Sequence, residues 1–396
     1  MVIGEDLLLR KRDLLGVLER VCEGLELTDT QFRLAKERYQ AVGAWLADAS
    51  SPVLRTLAIY LQGSTAIGTT VKPINGDEYD VDLVAHIAGL GSAFTPASVK
   101  KAIGDRLRAS GHYAALLQEM ARCWRLNYAH EFHLDITPSI PNPACRAGGE
   151  LVPDKTVKEW CPSNPKGYKV LFERRATLTP RLRILEGAVE KRLRADIEPY
   201  PISRGPKGIL RRTVQILKRH RDHHFAELDS CLAPISVIIT TLASRSYEHC
   251  ASNIVYDSEF DLLCDIIRYM PNYIGVGTTD DGRRQWFIWN ETTTAENFAE
   301  KWNADSQRAT AFYNWHARAL AHIQSLPNIE GLDRLTKSLR ESFGTAPADR
   351  ALAGLTADIS SARARGILSV APVVGLRIGQ SPGTTAVRPN TFYGKE

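Results

Sequence analysis

Asp80 and Asp82 stand two apart in the run Tyr79-Asp80-Val81-Asp82-Leu83-Val84, and Asp135 follows about fifty residues later in His133-Leu134-Asp135-Ile136. In an extended segment, residues i and i+2 project from one face a few ångströms apart, so two carboxylates placed this way repel each other unless a cation lies between them. Hard oxygen donors of this kind suit Mg²⁺, with Mn²⁺ as its substitute. A third carboxylate from a neighbouring strand completes a set able to hold two ions, one activating an attacking hydroxyl and the other holding departing phosphates, which is the chemistry of nucleotidyl transfer. An Asp-x-Asp alone is weak evidence, because chance produces about one in a chain of this length. Gly63-Ser64, just after a strand-like stretch and upstream of the acidic pair, adds backbone N–H groups and a hydroxyl able to hold a triphosphate.

The elements that must position these residues are legible from periodicity. Residues 57–62 read as a strand, and in Tyr79–Ile87 the alternation turns Asp80, Asp82 and Val84 one way and Val81, Leu83 and Ala85 the other. Residues 130–136 read as a third strand, with His133 and Asp135 on one face. A helix is expected over 28–49, where Thr28 and Gln31 make a capping box and Phe32, Ala35, Tyr39, Val42, Leu46 and Ala49 recur at spacings of three and four. Residues 95–122 read as helical, and the Pro-, Gly- and Asn-rich stretch 138–168 as a long connection. Beyond Gly205 the pattern is helical: Leu210, Val214, Leu217 and Phe225 form a stripe, residues 232–242 are nearly all apolar with Pro234 in the first turn, and 259–268, 296–302, 310–325 and 332–343 continue the pattern. The fold class is therefore α+β, a mixed sheet followed by a helical lobe.

The chain has 396 residues, 44% hydrophobic and 24% charged, with 28 Gly and 20 Pro, which excludes collagenous and low-complexity classes. Its longest apolar run, 232–242, falls well short of the ~20 residues that cross a bilayer. Glu5 and Asp6 precede Arg10, Lys11 and Arg12, the reverse of a secretory leader, so a cytoplasmic protein is expected. Seven cysteines without a CxxC pair read as reduced thiols, and His249-Cys250 lacks the second pair that a zinc site needs. The net charge of +5 is too mild to require nucleic acid. Basic residues concentrate in 174–194 and 218–221; Arg219, His220, Arg221, His223 and His224 read as the exposed face of one helix rather than a nucleic-acid patch. His133 shares the face of Asp135 and reads as packing beside the metal site, since a metal-activated hydroxyl needs no histidine base.

Leu61-Gln62-Gly63-Ser64, then Gly68-Thr69-Thr70, then Glu78 through Val84, resembles the signature of the polymerase-beta-like nucleotidyltransferases. More narrowly the chain resembles the bacterial cGAS/DncV-like nucleotidyltransferases, the CD-NTases of CBASS anti-phage systems. His133 through Pro138 is similar to their third-carboxylate strand. Trp160 with Ser163-Asn164-Pro165-Lys166-Gly167-Tyr168, the run from Leu210 to Asp222 with Ala233-Pro234-Ile235-Ser236, and the run from Glu296 to Trp302 extend the likeness over about residues 28 to 345. The resemblance implies two Mg²⁺ on Asp80, Asp82 and Asp135, with the donor triphosphate held by Gly63 and Ser64. It also places Lys218 and Ser236 toward the phosphates. A catalytic lobe is expected over 1–200, including the N-terminal helix, and a helical lobe over 201–380, while residues 381–396 have little to bury and read as a flexible tail. The expected activity is synthesis of a purine cyclic dinucleotide such as cyclic GMP-AMP from ATP and GTP, by a monomer, with an accessory CBASS protein acting at the tail. No Cys/His insertion like that of the animal DNA sensor is present. The rival readings are a linear oligoadenylate synthetase or a nucleotidyltransferase that modifies RNA or protein.

Overall fold

The computed structural model describes residues 2–48, 51–74, 78–91, 93–128, 131–154, 156–183, 207–371, 375–379 and 383–388. In chain order the elements are α1 (Val2–Leu25), α2 (Asp29–Ala47), β1 (Leu57–Leu61), α3 (Gly63–Ile67), β2 (Tyr79–Ile87), α4 (Pro96–Arg108), α5 (Gly111–Leu116), β3 (Leu117–Glu119), β4 (Trp124–Tyr128), β5 (Phe132–Pro141), β6 (Glu150–Pro153), β7 (Trp160–Ser163) and α6 (Pro165–Ala176). There follow β8 (Arg181–Leu182), α7 (Gly208–Phe225), α8 (Ser236–Asn253), β9 (Val255–Tyr256), α9 (Glu259–Tyr269), β10 (Gly275–Thr278), β11 (Arg284–Phe287), α10 (Glu300–Ala304), α11 (Gln307–Ser325), α12 (Leu332–Phe343), α13 (Thr345–Ala364), β12 (Leu368–Ala371), β13 (Gly375–Ile378) and β14 (Thr385–Ala386).

The capping box of Thr28 and Gln31 forms as the sequence requires, with both reciprocal bonds made, and Ala35, Val42 and Leu46 bury one face of α2. The central sheet runs β1-β2-β5-β4-β3, extended by β6 and β7. It is mixed: β2 and β5 are parallel, whereas β1 and β4 flank them antiparallel. Val81, Leu83, Ala85, Leu134 and Ile136 turn inward to a core with α2 and α4, which leaves the even-numbered face of β2 free to carry charge.

Two expectations about this region change. The 95–122 helix stops at Leu116, and the chain enters a β3–β4 hairpin, where Trp124, Leu126 and Tyr128 alternate inward with period two. Nor is 138–168 a loop, because β5 continues to Pro141 and then pairs with β6. β4 leaves β5 at Ile136, so Pro138 lies where β5 has no β4 neighbour and its missing N–H breaks no ladder on that side.

A second core gathers α1, α7, α8, α9, α11, α12 and α13, together with Ile67 of α3 and Phe172 of α6. The first helix therefore packs with the helical lobe and not with the 1–200 catalytic lobe. Its apolar positions Leu14, Leu18, Val21 and Leu25 recur at helical spacing and are covered by that core. Ser236 opens α8, so Pro234 precedes that helix instead of sitting in its first turn. Of the region 296–302 only the end is helical, in α10. Within the tail, Thr385 and Ala386 pair with β12, so a strand stands where flexibility was expected; residues 389–396 lie outside the described residues, as does the expected docking point for an accessory protein. Residues 184–206, which hold part of one basic run, also lie outside them.

The other basic run is not an exposed face. Lys218, Arg219 and His220 are all buried, because α7 is wrapped by helices and by the turn after α3. Arg219 Nε donates to Phe343 O at 2.7 Å, and Trp315 Nε1 donates to His220 Nδ1 at 3.1 Å. Among the described residues no helix is long and apolar enough to cross a membrane.

Candidate active site

β2, β5 and β4 bring the acidic residues together by register. Asp82 lies opposite Asp135, and Asp135 opposite Arg125, so the three form one row across three strands. Asp80 lies opposite His133 in the next row. The Arg125 guanidinium donates through Nε to Asp135 Oδ1 at 2.7 Å and through Nη2 to Asp135 Oδ2 at 2.8 Å. The same Nη2 reaches Asp80 Oδ1 at 3.2 Å. His133 faces Glu78, with Nε2 2.6 Å from Oε2, and its Nδ1 is 3.5 Å from Asp80 Oδ1. Burial first, then the charges of Asp135 and Asp80, push the Asp82 carboxyl up to about 6, although Arg125 and Lys218 pull it back.

Gly63 touches this row. It opens α3 at φ +64°, and a Cβ there would stand 2.7 Å from Asp82 Oδ2, so glycine is required both by backbone conformation and by the approach of the carboxylate. Gln62 N–H, just before it, donates to Asp82 O at 2.9 Å and locks the turn to β2. The end of α3 and the segment after it are tied to α7 by three side chains: Arg211 Nε donates to Ile67 O at 3.0 Å, Gln215 Nε2 to Thr70 O at 3.1 Å and Lys218 Nζ to Thr69 O at 3.1 Å. Spacings of four and three place all three on one face of α7.

A cleft of about 310 Å³ opens between the lobes. Gly63, Ser64, Glu78, Asp80 and Asp82 line it from the sheet side; Lys218, Arg221, Asp222 and Ser236 line it from the helical side, beside Tyr168. Burial and the neighbouring Arg221 push the Lys218 ammonium down to about 7, against the pull of Asp222 and Asp82. Ser236 Oγ accepts from Arg221 Nη1 at 3.1 Å and is only partly buried. Six of the seven sequence-derived residues thus share one cavity. Asp135 does not line it and lies behind the Arg125 fork.

The donor set has the right chemistry for a divalent ion: three carboxylates, one of them raised well above its ordinary range by burial and by the charges of the other two. As the side chains stand, Asp80 and Asp135 are turned to Arg125, and among the described residues no three Asp, Glu, His or Cys side chains surround one point closely enough to hold an ion. Arg125, Arg221 and Tyr168 were not singled out as site residues by the sequence. The Arg125 signal was present in Trp124-Arg125-Leu126-Asn127-Tyr128, whose period of two turns Arg125 toward the carboxylate face, but it lay beyond a region read as helix.

Carboxylates on two parallel strands, a glycine turn against them and a cation-lined helix across the cleft define a polymerase-beta-like nucleotidyltransferase fold. The Second Messenger Oligonucleotide or Dinucleotide Synthetase domain matches residues 16–175. A c-di-GMP synthase from Roseivirga ehrenbergii is 29% identical over 387 residues, covering 97% of this chain and 98% of the relative. The cyclic dinucleotide synthase CdnG of Bradyrhizobium diazoefficiens is 26% identical over 354 residues, 83% of this chain and 80% of the relative. The structure of that CdnG in complex with GTP superposes with a TM-score of 0.63 at 21% identity, over 86% of this chain and 98% of the other. Along nearly its whole length the chain is thus similar to bacterial cyclic dinucleotide synthases of the CD-NTase kind, and it is a nucleotidyltransferase enzyme.

Proposed function

We propose that this enzyme joins two purine nucleoside triphosphates into a cyclic dinucleotide with release of pyrophosphate. The observation that carries the reading is the cleft itself, with Asp80 and Asp82 on one wall and Lys218 and Arg221 on the other, a cavity whose charge suits a triphosphate bound with a divalent cation. The relative named for c-di-GMP favours a product with two guanines over the cyclic GMP-AMP expected from the family resemblance.

Asp80, Asp82 and Asp135 would hold Mg²⁺, or Mn²⁺ in its place. When bound, the ions supply an activated ribose hydroxyl and charge compensation for the departing pyrophosphate. The chain's own residues do the rest. Ser64 and the backbone at Gly63 receive the phosphates at the start of α3, while the buried Lys218 ammonium, bonded to Thr69 and lining the cleft, neutralises phosphate charge where little water screens it. Arg221 holds Ser236 at the cleft mouth through its Nη1 bond. A single cleft makes both bonds in turn, which requires a linear intermediate to reorient before closure. A role in anti-phage signalling, in the cytoplasm where ATP and GTP are available, follows the family, and the accessory protein expected at the tail belongs to that proposal.

The test is incubation with all four nucleoside triphosphates and Mg²⁺, phosphatase treatment, and mass spectrometry of what survives. A cyclic product lacks terminal phosphates and resists the phosphatase. Phosphatase-sensitive products alone would replace this reading with a linear synthetase.

A further inference from the structure

Arg125 is the one cationic side chain in the Asp82–Asp135 row, and its side chain is only 21% exposed. Its two bonds to Asp135 are the parallel, fork-to-fork kind, the strongest geometry a guanidinium makes with a carboxylate. Its third bond, to Asp80 Oδ1, uses the same Nη2 that holds Asp135 Oδ2, so one nitrogen bridges two of the carboxylates proposed to hold divalent ions. The oxygens that a metal needs are therefore already engaged by a residue from a third strand.

The geometry points to Arg125 as an internal counter-cation that competes with divalent metal for Asp80 and Asp135. It gathers and neutralises the two carboxylates while the cleft holds no metal, and an ion entering the site must displace it. This inference rests on the proposed reading of the carboxylates as a metal-holding set. It is distinguishable from a merely structural role by sign. If Arg125 only builds the site, its removal lets Asp80 and Asp135 drift and weakens metal binding. If it competes, its removal strengthens metal binding.

The test uses the full chain without nucleotide, titrated with Mn²⁺ alone while the free ion is followed by its electron paramagnetic resonance signal. For Arg125→Gln the expected result is a dissociation constant lower by about tenfold, the scale of one charge-assisted pair no longer opposing the ion. Arg125→Lys keeps the charge but cannot fork across both carboxylates, and its dissociation constant should fall by a smaller factor. Unchanged or weaker Mn²⁺ binding in Arg125→Gln, with its unfolding midpoint intact, overturns the inference. If Arg125→Gln does not fold, Arg125→Lys decides in the same way: tighter binding supports the inference, and equal or weaker binding overturns it. The double variant Asp80→Asn/Asp82→Asn separates the two claims. Mn²⁺ binding undiminished in that protein refutes the metal-holding reading itself, whereas its loss there combined with no gain in Arg125→Gln refutes the competition alone.

Discussion

Two carboxylate sites occupy one face of the same pair of strands and are built on opposite principles. At one end of β2 and β5 stand Asp80, Asp82 and Asp135; at the other stand His86 of β2 and Ser139 of β5, in register, with Glu150 of β6 over them. Glu150 is almost fully buried, yet its acceptors are filled: Ser139 Oγ donates to Oε2 at 2.7 Å, the Tyr60 hydroxyl donates to Oε1, and His86 lies 3.6 Å away. Burial pushes that carboxyl up, but the bonds from His86, Tyr60 and Ser139 outweigh it and hold the group below its ordinary value. Asp82 has no such set of donors, and its carboxyl rises to about 6. Glu150 is completed by fixed hydroxyls of its own protein, whereas Asp82 is left without such donors so that something else completes it.

The largest effect that can break this comparison is a double exchange. Asp80→Asn/Asp82→Asn should lower turnover by roughly 10³-fold or more, because the charges facing the reacting phosphates are gone. The same variant should be more stable than the parent at pH 7, since holding Asp82 ionised costs on the order of 2 kcal/mol there. The sign follows from the raised value. The folded chain keeps this proton until about 6 and the unfolded chain releases it near 3.8, so the stability drawn from the group falls as pH rises through that window. The gain in the variant should be full at pH 7 and absent below about pH 4. Glu150→Ala should do the opposite, keeping measurable turnover while losing about 3 kcal/mol, because the Tyr60 and Ser139 hydroxyls lose a buried acceptor. Denaturant unfolding with a turnover assay on both proteins checks the crossing. Equal stability losses in the two would erase the distinction.

Gly63→Ala probes the same contrast at the backbone. A methyl 2.7 Å from Asp82 Oδ2 at φ +64° cannot be absorbed without moving the turn or the carboxylate. Turnover should drop about 10²-fold with a stability loss of ~1 kcal/mol, a ratio that marks misplacement of the site and not unfolding. Gly104→Ala, where the added Cβ would lie 2.2 Å from the Trp124 ring in the core, should show the reverse balance.

What the sequence disclosed about this site was whatever lay in a single period. Asp80, Asp82 and Asp135 were legible because strand alternation is local, and Thr28 with Gln31 because a capping box is closed within four residues. Arg125 was not, since its meaning depends on β4 lying beside β5, and that pairing is long-range. The burial of Lys218, Arg219 and His220 was hidden for a related reason. An amphipathic stripe shows the face a helix turns to one neighbour, and α7 has neighbours on most sides, with backbone carbonyls of Thr69 and Phe343 receiving its cations. The first helix belongs to the other core: sequence order favours nearby elements, whereas α1 packs on α7 in the middle of the chain and on α13 near its other end.

The smallest effect expected is a slope. Lys218 is held near 7 by burial and by Arg221, so in the free enzyme its charge is present below that pH and lost above it. If that ammonium receives phosphate charge, kcat/KM for the triphosphate should fall as pH rises past about 7, by no more than about tenfold per pH unit, and the fall should appear in KM more than in kcat. Lys218→Arg carries a guanidinium that stays ionised, so its lower kcat/KM should be flat over pH 7 to 9. A parallel fall in both proteins would move the titration elsewhere in the cleft. A flat profile in the parent would mean that Thr69, whose carbonyl and hydroxyl both accept from Lys218, keeps the ammonium charged and tied to the turn, making it a strut between the lobes and not a hand on the substrate.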